Sequence, residues 1–296
     1  MEEYKYHRAS SIADAVKAMN EAGEKAVVLA GGTDLMAAVN HGRSDRGHTF
    51  VYIGDVPGLA EITESNGVLT VGSLVTASQI LESKLIREKA SALWIAARDL
   101  AAPQIRNRAT IGGNIGTASP SGDFITALIA LDAEATIEGG GKQVKVEDIP
   151  IGVKKTSLAP NEIITGIAVP LFAAKQGSAF VKIGKRKAMT ISIANAAVWL
   201  ALEEDGRTVK DIRVAVGACA PTVKRIKSLE AVLTGADISS LATLSIQIME
   251  DEIQPITDQR ATAWYRREIV PVLIRRAAMK AAAIANGANP REEVTA

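Results

Sequence analysis

The chain has 296 residues and sets 34 Lys and Arg against 33 Asp and Glu, a formal net charge of +1, so no bulk field favours nucleic acid or an anionic membrane. Its length predicts two or three domains with a substantial core. Its apolar runs stop short of the ~20 residues that span a bilayer, and the opening stretch with Glu2 and Glu3 lacks a signal-peptide layout, which predicts a soluble, cytoplasmic protein.

In chain order, Ser11-Ile12-Ala13-Asp14 opens a helix whose apolar residues Ile12, Ala15, Val16 and Met19 fall on one face, with Gly23 as its stop. A short strand over 27–30 leads to a glycine turn and a helix from Asp34 to about Val39. Strands over 49–53 and 68–71 precede helices over 77–81 and 91–101. Pro103 then enters a long segment, 102–122, that reads as a loop; its length points to function, because long loops in compact domains are seldom passive. A helix from Phe124 to about Leu131 follows, then strands over 133–138, 143–146 and 163–169 and a linker over 170–177. The last part predicts strands over 179–183, 191–202 and 209–218, and helices over 222–234, 239–249 and 261–285, the last kinked or interrupted by Pro271, with a polar tail from Asn286.

Chemistry concentrates in two glycine-rich stretches about eighty residues apart. The first is Ala30-Gly31-Gly32-Thr33-Asp34. The second is Thr110-Ile111-Gly112-Gly113-Asn114, which runs on to Ala118-Ser119-Pro120-Ser121-Gly122-Asp123. Both strip side chains from the backbone, so successive N–H groups can converge on an anion, and the pair suggests a diphosphate. Taken singly, each is also an ordinary tight turn. Neither matches G-x-G-x-x-G after a strand or G-x-x-x-x-G-K-[ST], which disfavours a dinucleotide-binding parallel sheet and a P-loop. His7, His41 and His48 show no metal-ligand spacing, and no nucleophile elbow is visible. A single cysteine, Cys219, excludes an internal disulfide and a cluster held by four thiolates, and its apolar neighbours read as core.

These two stretches, in this order and separation, resemble the diphosphate-binding loops of the FAD-binding subunit of the molybdenum hydroxylases, the xanthine dehydrogenase and carbon monoxide dehydrogenase family. The resemblance extends to Tyr6-His7-Arg8-Ala9, to Pro103-Gln104-Ile105-Arg106-Asn107 and to a C-terminal half ending in a long basic helix. It implies an α+β chain: a two-part FAD-binding domain of the vanillyl-alcohol oxidase (PCMH) type over 1–174, with parts about 1–58 and 59–174, then a C-terminal α+β domain of the CO dehydrogenase flavoprotein type over 175–290 and a tail over 291–296. It implies non-covalent FAD, with molybdopterin and [2Fe–2S] clusters only on a large and a small partner subunit. Electrons would pass from the clusters through FAD to NAD+ or another acceptor, in a heterotrimer.

Carried over residue by residue, the resemblance puts Val27, Val28, Leu29, Ala30, Gly31, Gly32, Thr33 and Asp34 around one side of the diphosphate, with N–H donors at Gly31, Gly32 and Thr33. Thr110, Ile111, Gly112, Gly113 and Asn114 close the other side, with Ser119 nearby. Asp123 corresponds to an aspartate that accepts from cofactor hydroxyls, Lys182 to a lysine at the isoalloxazine, and Leu100 and Ile164 to residues packed near the flavin. As bare residues, Asp123 is equally a helix N-cap, Lys182 a solvated strand lysine like its neighbours Lys185, Arg186 and Lys187, and Leu100 and Ile164 plain core. Gly122 stands where some relatives have a serine, which Ser121 could replace, and Ile191 where one branch has an aromatic. Two other functions stay open on the residues: a self-contained FAD-dependent oxidoreductase, which needs an acid or base beside the flavin, and a non-catalytic nucleotide-binding module. The hydroxylated substrate is not encoded in these residues.

Overall fold

The computed structural model describes residues 4–42, 49–171, 175–186, 188–243 and 246–292. Its first unit alternates β1 (Lys5–Arg8), α1 (Ile12–Ala22), β2 (Ala26–Leu29), α2 (Leu35–Asn40) and β3 (Thr49–Tyr52). Ser11 caps α1 by accepting from the Asp14 N–H, and Gly23, at φ 58, ends it. β1 and β2 both pair with β3 in parallel, in the order β1-β3-β2. Parallel neighbours need crossovers, and α1 provides the one between β1 and β2. The sheet edge carries β2 straight into the first glycine stretch.

The second unit runs through β4 (Ile62–Ser65), β5 (Val68–Gly72), α3 (Ala77–Glu82), α4 (Lys84–Lys89), α5 (Ser91–Asp99), α6 (Pro103–Arg106), α7 (Ile111–Thr117), α8 (Asp123–Ala130), β6 (Glu134–Glu138), β7 (Lys142–Lys145), β8 (Pro150–Gly152), β9 (Lys155–Thr156) and β10 (Ile163–Pro170). Five of these strands form an antiparallel sheet in the order β4-β5-β10-β6-β7, while β8 and β9 make a hairpin of their own. The third unit holds β11 (Gln176–Ile183), β12 (Ala194–Leu202), β13 (Val209–Gly217), β14 (Lys224–Arg225), α9 (Lys227–Leu233) and α10 (Ala263–Ala285), its strands antiparallel in chain order.

Two elements tie the second and third units together. Every residue of α8 is buried, because the helix packs on α5 and also on β12 and β13. A helix buried on every side is apolar apart from polar groups that find partners, and in α8 those are Asp123 and Thr126. Every residue of β12 is buried too, since α10 and α8 both pack on it. Gly177 in β11 lets α10 approach closely: an added Cβ would lie 2.1 Å from the Ala281 carbonyl oxygen.

Several expectations are corrected. The segment 102–122 is not a loop, for it contains α6, entered through Pro103, and α7, capped by Thr110. Over 239–249 the described residues form a short 3₁₀ turn, Ile238–Ala242, and then irregular chain. Residues 244–245 lie outside the described residues. α10 runs through Pro271 unbroken, because Val270, Leu273, Ile274, Ala277, Ala278 and Ala281 are buried beneath it and that packing outweighs one lost backbone hydrogen bond. The linker over 170–177 is shorter than expected, since β10 ends at Pro170 and β11 begins at Gln176; 172–174 lie outside the described residues.

Candidate functional site

The two glycine stretches meet. A Cβ on Gly31 would lie 1.7 Å from the Arg108 carbonyl oxygen, so bare backbone abuts the chain just ahead of α7. Gly112 is pressed on the residue that follows β5, where a Cβ would lie 2.7 Å from Ser73 Cβ. Gly32, at φ 72, reverses the chain in the left-handed region that glycine adopts without strain. Among the described residues, the N–H groups of Gly31, Gly32, Thr33 and Asp34 donate to no protein acceptor. Buried or half-buried N–H groups are ordinarily paired, and an unpaired run beside a left-handed glycine is the backbone concavity that holds anions.

The second stretch differs from the expectation. Ile111 N–H donates to Val75 O at 3.0 Å, Gly112 to Ser73 O at 2.9 Å, Asn114 to Thr110 O at 3.0 Å, and Gly113 to Thr110 Oγ1 at 3.1 Å. Its amides are therefore consumed within the fold and form no second anion nest. Gly112 and Gly113 adopt helical rather than positive φ, and at least Gly112 is needed for close approach. What this segment can offer a ligand is the amide nitrogen of Asn114, whose Oδ1 accepts from the Ile125 N–H at 3.3 Å. Lys154 touches both stretches, its N–H bound to Ala118 O at 3.0 Å and its ammonium 3.2 Å from Asp34.

A buried polar cluster lies at the far end of the second stretch. Asp123 is 7% exposed. Its Oδ2 accepts from Lys182 Nζ at 2.7 Å, and its Oδ1 accepts from Ser192 Oγ at 2.9 Å and Asn195 Nδ2 at 3.3 Å. Asn195 Oδ1 in turn accepts from Thr126 Oγ1 at 2.9 Å. Gly217 is glycine because a Cβ there would lie 2.3 Å from Asn195 Oδ1. Burial pushes the Asp123 carboxyl upward, against the pull of the Lys182 ammonium and the two hydrogen bonds.

This geometry decides two readings left open by the sequence. Asp123 is the first residue of α8 after its cap Gly122 and bonds no helical N–H, so it is not the cap. The Lys182 side chain is 7% exposed, so it is not a solvated strand lysine. Ser192, Asn195 and Thr126 join the cluster although they are not among the residues expected from the sequence. An asparagine within the apolar run of β12 was the available signal, since buried polar groups are kept only with partners.

The remaining named residues separate by position. Val27, Val28, Leu29 and Ala30 are half-buried on and beyond β2. Leu100 ends α5 and its carbonyl accepts from Arg106 at 2.9 Å. Ile164 is buried in β10 beside a bulge opposite β6. Ser119 and Ser121 bond each other through their hydroxyls at 3.1 Å, next to Gly122. Ile191 is exposed. His7 bonds Asp14 and His41 bonds Ala37 O, while His48 and Lys187 lie outside the described residues. Cys219 is buried, and that burial pushes its thiol up to about 12. No helix among the described residues is long and apolar enough to cross a membrane.

The residues present suit FAD. The unpaired amides over 31–34 are donors of the kind an anionic diphosphate needs, and at Gly31 the Arg108 backbone leaves no room for a side chain.

Comparison with known proteins bears on the same regions. Residues 2–172 match the family described as "FAD binding domain in molybdopterin dehydrogenase", and residues 179–281 match "CO dehydrogenase flavoprotein C-terminal domain". The chain is 32% identical to the xanthine dehydrogenase FAD-binding subunit of Escherichia coli O157:H7, over 95% of this chain and 97% of that one. It is 30% identical to the carbon monoxide dehydrogenase medium chain of Hydrogenophaga pseudoflava, over 93% and 95%. Among solved structures, a chain of the Cu,Mo-CO dehydrogenase in its cyanide-inactivated form superposes with a TM-score of 0.87 at 28% identity, covering 95% of this chain and 98% of that chain.

Proposed function

The chain belongs to the family of FAD-binding subunits of molybdopterin dehydrogenases, and from that premise we propose that it is the electron-transfer subunit of a molybdenum hydroxylase, working between an iron–sulfur small subunit and a molybdopterin-binding large subunit. It is an FAD-binding oxidoreductase subunit. When bound, FAD supplies the redox chemistry, taking electrons from [2Fe–2S] clusters of the small subunit and passing them to NAD+ or another acceptor. The heterotrimer and the cytoplasmic location belong to the same reading, as does the division into a flavin domain over 1–174 and a C-terminal domain over 175–290.

The observation that carries it is the run of unpaired N–H groups over Gly31, Gly32, Thr33 and Asp34, in a stretch whose Gly31 abuts the chain leading into α7. Those amides orient the diphosphate. Thr33 adds its hydroxyl, and Asn114 contributes its amide from the other side. Asp123, fixed by Lys182, Ser192 and Asn195, presents an oriented carboxylate toward cofactor hydroxyls, and Lys182 supplies a cation toward the flavin ring. Leu100 and Ile164 exclude water from the ring.

Division of labour gives the test. One cysteine cannot ligate a cluster. The isolated chain should therefore oxidise NADH slowly at most and hydroxylate nothing. A single purified polypeptide that hydroxylated purines, aldehydes or N-heteroaromatics at about 1 to 10³ per second would refute the subunit assignment and favour a self-contained oxidoreductase.

A further inference from the structure

Arg266 lies on α10, far in sequence from both glycine stretches, and is 3% exposed. Its Nη1 donates to Ile193 O at 2.6 Å and to Ala218 O at 2.8 Å, and its Nη2 donates to Asp258 Oδ1 at 2.8 Å. Burial alone would raise the Asp258 carboxyl, but the N–H groups of Arg260 and Ala261 and the guanidinium of Arg266 hold it down at about 2. The guanidinium thus keeps its counter-charge throughout the working pH range.

The two carbonyls it holds are informative. Ile193 immediately precedes β12 and sits between Ser192, which donates to Asp123 at 2.9 Å, and Asn195, which donates to Asp123 at 3.3 Å. Its own N–H donates to Ile183 O at 2.8 Å, next to Lys182. Ala218 follows β13 in a left-handed conformation, φ 61, unusual for alanine, and its N–H donates to Pro120 O at 2.6 Å. One planar cation therefore joins the beginning of β12 to the end of β13 at the points where both strands touch the segment Ala118 to Asp123. Arginine suits this task, because its rigid fork serves several acceptors at once.

We propose that Arg266 is a positioning residue for the cofactor pocket: its buried guanidinium clamps the start of β12 and the end of β13, and through Ser192 and Ala218 it holds Asp123 and Pro120 in place. The inference rests on the FAD reading above. Loss of the clamp leaves the strand ladders intact but frees both strand ends, so Asp123 loses its fixed direction. A hydrogen bond to a charged group contributes about 1.5–3 kcal/mol, which as affinity is about 10-fold to 100-fold.

The experiment compares wild-type full chain with Arg266→Met, Arg266→Lys and Asp258→Asn. It reads FAD dissociation constant by fluorescence titration, flavin midpoint potential by spectroelectrochemistry, and melting temperature. Arg266→Met should bind FAD about 10-fold to 100-fold more weakly with a displaced potential. Arg266→Lys should recover part of both, and Asp258→Asn should show the smaller change in the same direction. Should Arg266→Met fail to fold, the Lys and Asn variants decide. Folded variants with lowered melting temperatures but wild-type affinity and potential would make Arg266 a stability residue only and overturn the proposal. A wild-type chain that takes up no FAD would instead overturn the cofactor assignment itself.

Discussion

Gly31→Ala is expected to weaken FAD binding about 100-fold while its neighbour substitutions do less. The added Cβ would lie 1.7 Å from the Arg108 carbonyl oxygen and 2.7 Å from its carbon. Backbone cannot rotate out of the way as a side chain can, so the first glycine stretch must move off the chain ahead of α7 by more than an ångström. The unpaired amides then shift relative to the second stretch. If that strain is about 3 kcal/mol, toward the top of the range for overpacking, affinity falls about 100-fold. Gly32→Ala is milder, because its cost is a left-handed alanine of about 1–2 kcal/mol, with Met36 Cγ 3.2 Å away on a flexible side chain. Gly116→Ala serves as the control, since a Cβ there meets nothing within 4 Å. FAD titration of the three variants checks the order. Wild-type affinity in Gly31→Ala would show that the two stretches do not form one cradle.

Lys182→Met should be the most destabilising of the site substitutions. It removes the cation of a buried pair and leaves the Asp123 carboxylate with only Ser192 and Asn195, a change of about 3–5 kcal/mol for buried pairs. The sign of its pH dependence follows from burial. With the ammonium gone, desolvation raises the folded-state pKa of Asp123 above its ordinary 3.8 against only the hydrogen bonds from Ser192 and Asn195. A carboxyl whose folded pKa is raised contributes fully below the unfolded value, and that stability is lost as pH rises through the folded pKa. The variant should therefore be nearest to wild type around the ordinary carboxyl value of 3.8 and fall progressively behind as pH rises above it. Urea melts across a pH series measure it. Lys182→Met combined with Asp123→Asn should regain much of the loss, because no bare charge is then buried. A gap between variant and wild type that did not change with pH would mean that Asp123 stays ionised without Lys182.

Much of this was legible in the residues, and the failures have physical causes. The helix from Ser11, the strands over 49–53, 68–71 and 163–169, and the long C-terminal helix carry clear periodicity and caps, and all are present. β1, at Lys5–Arg8, went unnoticed because its side chains are polar and mostly exposed, and its strand character comes from parallel pairing with β3. α7 was read as loop because helix propensity penalises Gly112, Gly113 and Gly116. There tertiary contact wins at Gly112, whose approach to Ser73 leaves no room for a side chain, while Ile111 N–H and Gly112 N–H bond Val75 O and Ser73 O. The same ambiguity affected the site. Glycines in both stretches suggested two amide nests, yet only the first keeps its N–H groups unpaired. The partners of Asp123 come from 59 to 72 residues away, and no local pattern announces them.

On the function proposed above, Gly31 to Asp34 and the chain leading into α7 hold one FAD non-covalently. Cys219 is buried with its thiol pushed up to about 12, and neither stretch carries a histidine, so nothing in the cradle is placed for covalent attachment. The direct measurement is the visible spectrum and flavin stoichiometry of the purified full chain, followed by acid precipitation. The expected result is a yellow protein with one FAD per chain, all of it released to the supernatant. A colourless chain that takes up no FAD from excess, or flavin that stays with the precipitated polypeptide, would contradict it.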